Sequence, residues 1–141
     1  MQEGTGKCKV LVVDDNVDGA VTLSVILKHM GNSVRITHDG RSALAVGAEF
    51  VPDLILMDIG MPGMDGYETC ERMRQEPWSA NVKIVALTGW GQEEDKRKAK
   101  RAGFDLHLVK PVERKTLVEV IDQVCEGRMN GHAGGPGSAS N

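Results

Sequence analysis

The sequence lacks the features that identify several common classes of protein. No stretch approaches the length of a membrane-spanning helix, and residues 1–9 have none of the apolar core of a signal peptide. No Gly-x-Gly-x-x-Gly or P-loop pattern is present, so nucleotide binding has no support. The net charge of -3 and the pI near 5.8 argue against a protein that binds nucleic acid. We therefore expect a cytoplasmic protein that binds neither nucleic acid nor, by itself, a membrane.

Cysteine is also scarce in this chain. Cys8, Cys70 and Cys125 are odd in number and far apart, which argues against both a disulfide framework and a zinc site. We expect three reduced thiols, as is usual in the cytosol.

The length and composition predict one folded domain with two polar ends. The 141 residues can form a single hydrophobic core, and their 40% hydrophobic and 26% charged content is that of a soluble globular protein. Residues 1–6 are small and polar, and the chain after residue 126 is rich in Gly, Ser and Asn, which cannot bury a core. We predict a flexible N-terminus at 1–6, a folded unit at 7–126 and a disordered polar tail at 127–141.

Short apolar runs alternate with stretches of helical periodicity within the folded unit. The runs at 9–13, 33–37, 54–57, 82–87 and 106–109 predict strands. Helices are predicted after the cap at Asn16, at 40–49, after the capping box of Asp65 and Glu68, at 92–101 and at 113–125. Five strands that are each followed by a helix indicate an α/β fold, with a parallel sheet covered on both faces.

Charged and hydroxyl side chains follow four of these strands directly. Asp14 and Asp15 follow the first strand, Asp58 the third, Thr88 the fourth and Lys110 the fifth. In open parallel sheets, ligands bind outside the carboxyl ends of the strands, so these side chains are expected to share one cleft. Two like charges 4 Å apart repel by roughly 4 kcal/mol at an effective dielectric of about 20. Three carboxylates and one ammonium group therefore predict a site for a divalent cation.

Four motifs, taken in order, give this chain a family resemblance. They are Asp14-Asp15, Met57-Asp58-Ile59-Gly60-Met61-Pro62-Gly63-Met64-Asp65-Gly66, Ala86-Leu87-Thr88-Gly89 and Val109-Lys110-Pro111. With them the chain resembles the receiver domains of two-component response regulators over nearly all of the folded unit. The resemblance implies a doubly wound, flavodoxin-like (βα)5 fold with strand order 2-1-3-4-5. The finer pattern is most similar to receiver modules of hybrid sensor histidine kinases or to stand-alone single-domain regulators.

The resemblance also implies a role for each residue of the motifs. Asp58 would accept a phosphoryl group from a phosphohistidine on a histidine kinase or a histidine phosphotransfer protein, and Thr88 and Lys110 would assist. Mg²⁺, or alternatively Mn²⁺, would be bound by Asp14, Asp15, Asp58 and the backbone carbonyl of Gly60, with Asp14 acting largely through water. The expected function is that of a phosphoacceptor signalling domain in a phosphorelay. We expect magnesium-dependent self-phosphorylation and autodephosphorylation at Asp58 and no classical enzyme activity.

One position departs from the family pattern. The family usually has Tyr or Phe, as a conformational switch, three residues before the lysine, and this chain has His107 there. Histidine is smaller and can be charged near neutral pH, so we expect a weaker or altered switch. A half-buried packing role for His107 is the alternative interpretation.

The remaining residues near the motifs allow two simpler expectations. Gly60 and Gly89 have no side chains, which predicts an open pocket that Trp90 could partly cover. The other histidines are interpreted as ordinary surface or tail residues; they are His29, His38 and His132.

Two other functions stay open at this point. A phosphatase that forms an aspartyl phosphate would need a second acid two residues after its nucleophile at the end of the first strand. Here Asp14 and Asp15 are adjacent, position 16 is Asn, and no cap domain is evident. An interaction domain that works without phosphorylation would predict a degraded acidic pocket, and this pocket is complete. The sequence also leaves open whether the chain is a stand-alone regulator or part of a hybrid kinase.

Overall fold

A computed structural model of the chain describes residues 8–61, 63–89 and 93–133, with side chains described as far as residue 125. The strands are β1 (Lys9–Val13), β2 (Ser33–Thr37), β3 (Leu54–Asp58), β4 (Lys83–Thr88) and β5 (Leu106–Val109). The helices are α1 (Val17–His29), α2 (Gly40–Phe50), α3 (Gly66–Arg74), α4 (Glu93–Ala102) and α5 (Arg114–Ala133), with a single 3₁₀ turn at Pro77–Ser79. Within these residues, no helix is both long and apolar enough to cross a membrane.

The five strands form one parallel sheet in the order β2-β1-β3-β4-β5. This architecture confirms the predicted fold class and strand order. Consecutive strands in the sequence are joined by helices, since a parallel pair needs a crossover connection. The carboxyl ends of β1 and β3 are adjacent at the point where the strand order reverses, which is where the predicted site should lie.

Side chains of the central strands alternate between two apolar cores. Leu11, Ile55 and Ile84 belong to the core that includes residues of α2, α3 and α4, and Val10, Leu54 and Val85 belong to the core that includes residues of α1 and α5. Successive residues of a strand point to opposite faces, so a strand buried on both faces has no polar position until it ends. The first residues free of the cores are therefore those at the strand ends.

Side-chain caps set the starts of the helices that flank the site. The Asn16 side chain accepts a hydrogen bond from the Gly19 N–H (2.9 Å) at the start of α1, and the Asp65 carboxylate accepts one from the Glu68 N–H (2.9 Å) at the start of α3. Each cap satisfies a backbone donor that has no partner within its helix. Both predicted caps are confirmed.

Arg74, the last residue of α3, binds several segments at the amino ends of β4 and β5. Its Nε donates to the Gly103 carbonyl (2.9 Å), and its Nη1 donates to the carbonyls of Ser79 (2.8 Å) and Val82 (3.0 Å). Its Nη2 forms a salt bridge of 2.7 Å with Asp105. One guanidinium group therefore links the loops before β4 and β5, at the edge of the sheet opposite the acidic residues.

Helix α5 differs from the sequence prediction in length. The sequence predicts a helix that ends at residue 125, but α5 continues to Ala133, so residues 127–133 are helical where the sequence predicts a disordered tail. Extending a formed helix costs far less than starting one, and Arg128 and Met129 are good helix formers. The predictions for residues 1–6 and 134–141 lie outside the described residues.

The expectation of three reduced thiols is wrong for two of the cysteines. Cys8, just before β1, and Cys125, on α5, are joined in a disulfide, with Cα atoms 5.7 Å apart. Both residues are buried in the core between the sheet and α5, which brings together positions 117 residues apart in sequence. Cys70 is free and buried in α3, and burial raises the pKa of its thiol to about 12.

Candidate functional site

Three carboxylates meet at the carboxyl ends of β1 and β3. One oxygen from each of Asp14, Asp15 and Asp58 lies within 4.8 Å of the others. The register explains the meeting, because Val13 pairs with Met57 and the acids follow directly after these two residues. The structure thus brings together the three acids that the sequence predicted to share a cleft. We call Asp14, Asp15 and Asp58 the acid cluster.

Asp14 is the most buried member of the acid cluster, with a side chain that is only 8% exposed. Its Oδ1 accepts a hydrogen bond from the Asn16 N–H (2.9 Å), and its Oδ2 lies 3.4 Å from the Lys110 Nζ. Burial raises the pKa of Asp14, and the charge of Asp58 adds to this, while the bond from Asn16 and the charge of Lys110 act in the opposite direction. Further positive charge would therefore stabilise the ionised form of this carboxyl group.

Lys110 is the cation that pairs with the acid cluster among the described residues. Its Nζ is 3.4 Å from Asp14 Oδ2 and 3.5 Å from Asp58 Oδ2. Its backbone N–H donates to the Thr88 carbonyl (2.7 Å), which places Lys110 directly after the last paired residues of β4 and β5. One ammonium group faces three carboxylates, so negative charge is in excess at this position.

The donor set of the acid cluster fits a magnesium ion. Mg²⁺ prefers hard oxygen ligands, binds through a few carboxylates and usually keeps several waters. The backbone N–H of Gly60 donates to Asp58 Oδ1 (3.0 Å), which orients the carboxylate. The structure therefore places Gly60 next to Asp58, and the proposed ligation by its carbonyl oxygen stays a prediction.

Thr88 ends β4 beside the acid cluster and is 4% exposed. Asp58 pairs with Leu87 in the sheet, and the Ile59 N–H donates to the Leu87 carbonyl (3.1 Å), so β3 and β4 are aligned up to the site. A Cβ atom built on Gly89 would have no atom of the described residues within 4 Å. The space beside Thr88 is open as far as the described residues define it, and Trp90 lies outside them.

His107 occupies the second position of β5 and does not contact the acid cluster. It pairs with Ala86, is half-buried, and its buried Nε2 has no hydrogen-bond partner within the described segments. Burial lowers the pKa of His107 and the charge of Lys96 lowers it further, with a smaller opposite effect from Asp95. Because this pKa is lowered, the His107 ring stays neutral at pH values at which an exposed histidine would already be protonated.

An exposed apolar stripe on α1 was not predicted. Val17, Val21 and Val25 recur every four residues and are 54%, 46% and 51% exposed, whereas Ala20 and Leu27 of the same helix are buried. The four-residue spacing is visible in the sequence, where it could have indicated a second apolar face. These three valines form an apolar stripe that the described residues leave exposed.

A groove of about 660 Å³ runs beside the acid cluster, between α1 and the segment that follows β5. Its lining combines polar residues near the acids with an apolar floor and includes Asp14, Asn16, Leu23, Ile26, Lys110 and Pro111. The groove therefore borders the acid cluster at Asp14 and Lys110 and is partly apolar.

His38 also contributes to the site, although its sequence position suggested only a surface residue. Its Nδ1 forms a hydrogen bond of 2.8 Å with the backbone carbonyl of Asp14. The sequence holds no local signal for this contact, because it joins the end of β2 to the end of β1.

The comparison with protein families gives one match that spans most of the chain. The profile described as the response regulator receiver domain matches residues 10–122. This range contains β2 to β5, all of β1 except Lys9, and every residue of the acid cluster.

Two curated relatives show the two settings in which similar sequences occur. Protein PilH of Pseudomonas aeruginosa is 31% identical over 119 residues, with 84% of this chain and 98% of PilH covered. The sensor histidine kinase GacS of Pseudomonas protegens is 35% identical over 116 residues, which is 80% of this chain and 13% of GacS. The chain thus spans nearly all of one relative and a small part of the other.

Two solved structures share this fold. The chemotaxis protein CheY4 of Vibrio cholerae has a TM-score of 0.80 at 33% identity, with 84% of this chain and 99% of that chain covered. The second is a co-crystal structure of the Saccharomyces cerevisiae histidine phosphotransfer protein Ypd1 with the receiver domain of the response regulator Ssk1. It matches with a TM-score of 0.81 at 29% identity and covers 89% of this chain and 94% of that chain.

Proposed function

Because this chain belongs to the response regulator receiver domain family, we propose that Asp58 accepts a phosphoryl group from a phosphohistidine of a partner protein. Receiver domains act in two-component signalling and are not classical enzymes. The observation that carries the assignment of Asp58 is the acid cluster with the Lys110 Nζ 3.5 Å from Asp58 Oδ2. Among the three acids, Asp58 is the one that ends a central strand and is both partly exposed and paired with Lys110.

The transfer would move a phosphoryl group between two nucleophiles. A carboxylate oxygen of Asp58 forms a bond to phosphorus while the bond between phosphorus and the partner's imidazole nitrogen breaks, and the imidazole keeps the electron pair. Such transition states are loose and carry their charge on the phosphoryl oxygens, so positioning and neutralisation supply most of the catalysis. The Lys110 ammonium and the Thr88 hydroxyl lie at the same sheet edge, where they can contact these oxygens.

The acid cluster would hold Mg²⁺, or Mn²⁺ in its place, through Asp14, Asp15, Asp58 and the Gly60 carbonyl. The bound ion would neutralise charge on the phosphoryl oxygens. Asp14, which is buried and tied to Asn16 and Lys110, is best placed to act through a bound water. Asp15 is the exposed member and can turn its carboxylate toward the site.

The partner would be a histidine kinase or a histidine phosphotransfer protein. The exposed valines lie on α1, the helix that also lines the groove beside Asp14, so a helix carrying the phosphohistidine could pack on them. A similar fold occurs in a complex that contains a phosphotransfer protein. Gly60 and Gly89 leave room at Asp58 for the incoming imidazole.

The output of the domain would depend on how Thr88 and β5 respond to the phosphoryl group. His107 is smaller than the Tyr or Phe that is usual in the family, and its ring is neutral and half-buried. We expect a smaller rearrangement than an aromatic switch would give, so passing the phosphoryl group onward would be a main role of this chain.

Intact-mass measurement after incubation with acetyl phosphate and Mg²⁺ tests the proposal. We expect one phosphoryl adduct on the wild type and none on Asp58→Asn. Asp18→Asn removes a carboxylate from α1 outside the acid cluster and should keep the adduct. An adduct that persists in Asp58→Asn contradicts the assignment, as does rapid turnover of many phosphate esters without any adduct.

A further inference from the structure

We propose that His38 is a positioning residue that holds the turn carrying Asp14 and Asp15 in the geometry needed for cation binding. The inference rests on the proposed function of the same site. It starts from the hydrogen bond of 2.8 Å between His38 Nδ1 and the backbone carbonyl of Asp14. A carbonyl oxygen can only accept, so Nδ1 carries the proton and donates it, whether the ring is neutral or charged.

This bond completes the set of contacts that restrain Asp14. The Asp14 N–H donates to the Thr37 carbonyl (3.0 Å), Oδ1 accepts from the Asn16 N–H and Oδ2 pairs with Lys110. The carbonyl oxygen is the remaining polar atom, and His38 binds it. All four polar atoms of Asp14 therefore have a partner, and one of the four depends on a side chain that lies outside the motifs.

The carbonyl of Asp14 matters because it belongs to the peptide unit that leads into Asp15. The Asp15 carboxylate has no hydrogen-bond or ion-pair partner among the residues that the structure describes. Its position in the acid cluster therefore follows from the orientation of its backbone. A bond that holds the preceding peptide plane also sets the direction in which the Asp15 side chain leaves the chain.

His38 is itself held firmly enough to act in this way. Thr37 before it is the last residue of β2 and is paired with Val13 of β1. Asp39 after it caps α2, with its carboxylate accepting from the Ser42 N–H (2.8 Å). The His38 ring is thus attached between a strand end and a helix start, and the positions of both are set by the sheet and the core.

Three substitutions at this position separate the hydrogen bond from other effects. The side-chain nitrogen of Asn can occupy the place of Nδ1, whereas that of Gln corresponds to Nε2. We expect His38→Asn to bind Mg²⁺ as the wild type does. We expect His38→Gln and His38→Ala to bind it about three- to tenfold more weakly, the range that one lost hydrogen bond gives. Isothermal titration of the unphosphorylated protein with Mg²⁺ measures these affinities directly.

A second readout distinguishes positioning from general stability. In His38→Ala the Mg²⁺ concentration for half-maximal phosphorylation by acetyl phosphate should rise, while the rate at saturating Mg²⁺ stays that of the wild type. His29→Ala, at an exposed position at the end of α1, is the matched control and should change neither quantity.

Several outcomes would overturn this proposal. Wild-type affinity in His38→Ala would do so, as would equal weakening in His38→Asn and His38→Ala, or a lower melting temperature with unchanged affinity. If these results appear while the wild type binds Mg²⁺ and forms the Asp58 adduct, they refute the role of His38 and leave the proposed function standing. A wild type that neither binds Mg²⁺ nor forms the adduct refutes the proposed function together with it.

Discussion

Replacing Lys110 with Met should destabilise the protein when divalent cations are absent. Methionine is similar in length and carries no charge, so the change removes two attractions, over 3.4 Å to Asp14 and 3.5 Å to Asp58. Each is worth about 4–5 kcal/mol at an effective dielectric of about 20. The Lys110 side chain is 34% exposed, so solvent screening reduces both interaction energies. The two carboxylates are largely buried, so the loss of their partner still destabilises the folded state. We expect a net loss of about 2–3 kcal/mol near neutral pH.

Magnesium should act on this variant in the opposite direction. Lys110→Met keeps the three carboxylates but lacks the ammonium group that repels a cation, so Mg²⁺ should bind more tightly than in the wild type. Binding to the folded state alone raises its stability. Urea unfolding should therefore show a large difference in the free energy of unfolding between wild type and Lys110→Met in EDTA. The difference should become smaller in millimolar Mg²⁺.

The difference in the free energy of unfolding between wild type and Lys110→Met should also become smaller as the pH falls. Burial raises the pKa of Asp14, and the loss of Lys110 would raise it further, so the folded variant takes up protons before the unfolded chain does. Its stability then decreases with rising pH through that window and is lowest near neutral pH. Lys115→Met, which removes an exposed lysine at the start of α5, is the control. Equal stability of wild type and Lys110→Met in EDTA would refute the reasoning, and so would a stability difference that becomes larger when Mg²⁺ is added.

Two further predictions follow from the half-buried His107 and from the disulfide. The folded state lowers the pKa of His107, so the wild type should lose stability as the pH drops below about 6.5 toward that lowered value. His107→Gln should lack this loss in urea melts across the same pH range, and an unchanged profile would assign the loss to another group. Cys125→Ser should reduce stability by about 2–4 kcal/mol in non-reducing buffer, because the disulfide restricts the unfolded chain. Dithiothreitol should lower the wild type to the level of this variant and leave the variant unchanged; a wild type that does not respond would show that the bond does not contribute.

The parts of this fold that could be predicted from the sequence depend on local patterns. Strands buried on both faces are continuous apolar runs, so β1 was located at its observed bounds and β3 to within one residue. The caps at Asn16 and Asp65 are short-range interactions that the sequence also shows. Parallel strands also present their carboxyl ends at one edge, which is why the acid cluster could be expected before any coordinates. The acid cluster is thus a consequence of topology and of which residue follows each strand.

The parts that could not be predicted depend on how distant segments pack. Cys8 and Cys125 meet only because α5 lies over β1, and the odd number of cysteines suggested the opposite. The contact of His38 with Asp14 joins two strand ends 24 residues apart and follows no motif. The roles of Thr88 and the Gly60 carbonyl remain predictions, since they concern ligands and movements that sequence patterns do not specify.

The hydrogen bonds and the salt bridge of Arg74 affect where the strands can move during the proposed signalling. They tie the starts of β4 and β5 to the end of α3, while the opposite ends of these strands carry Thr88 and Lys110. Because the contacts of Arg74 hold the starts of both strands, a displacement that begins at the phosphoryl group would be largest at Thr88 and Lys110 and smallest at those starts. The conformational change would then be concentrated in the loops beside Asp58, and the amino-terminal edge of the sheet would keep its structure.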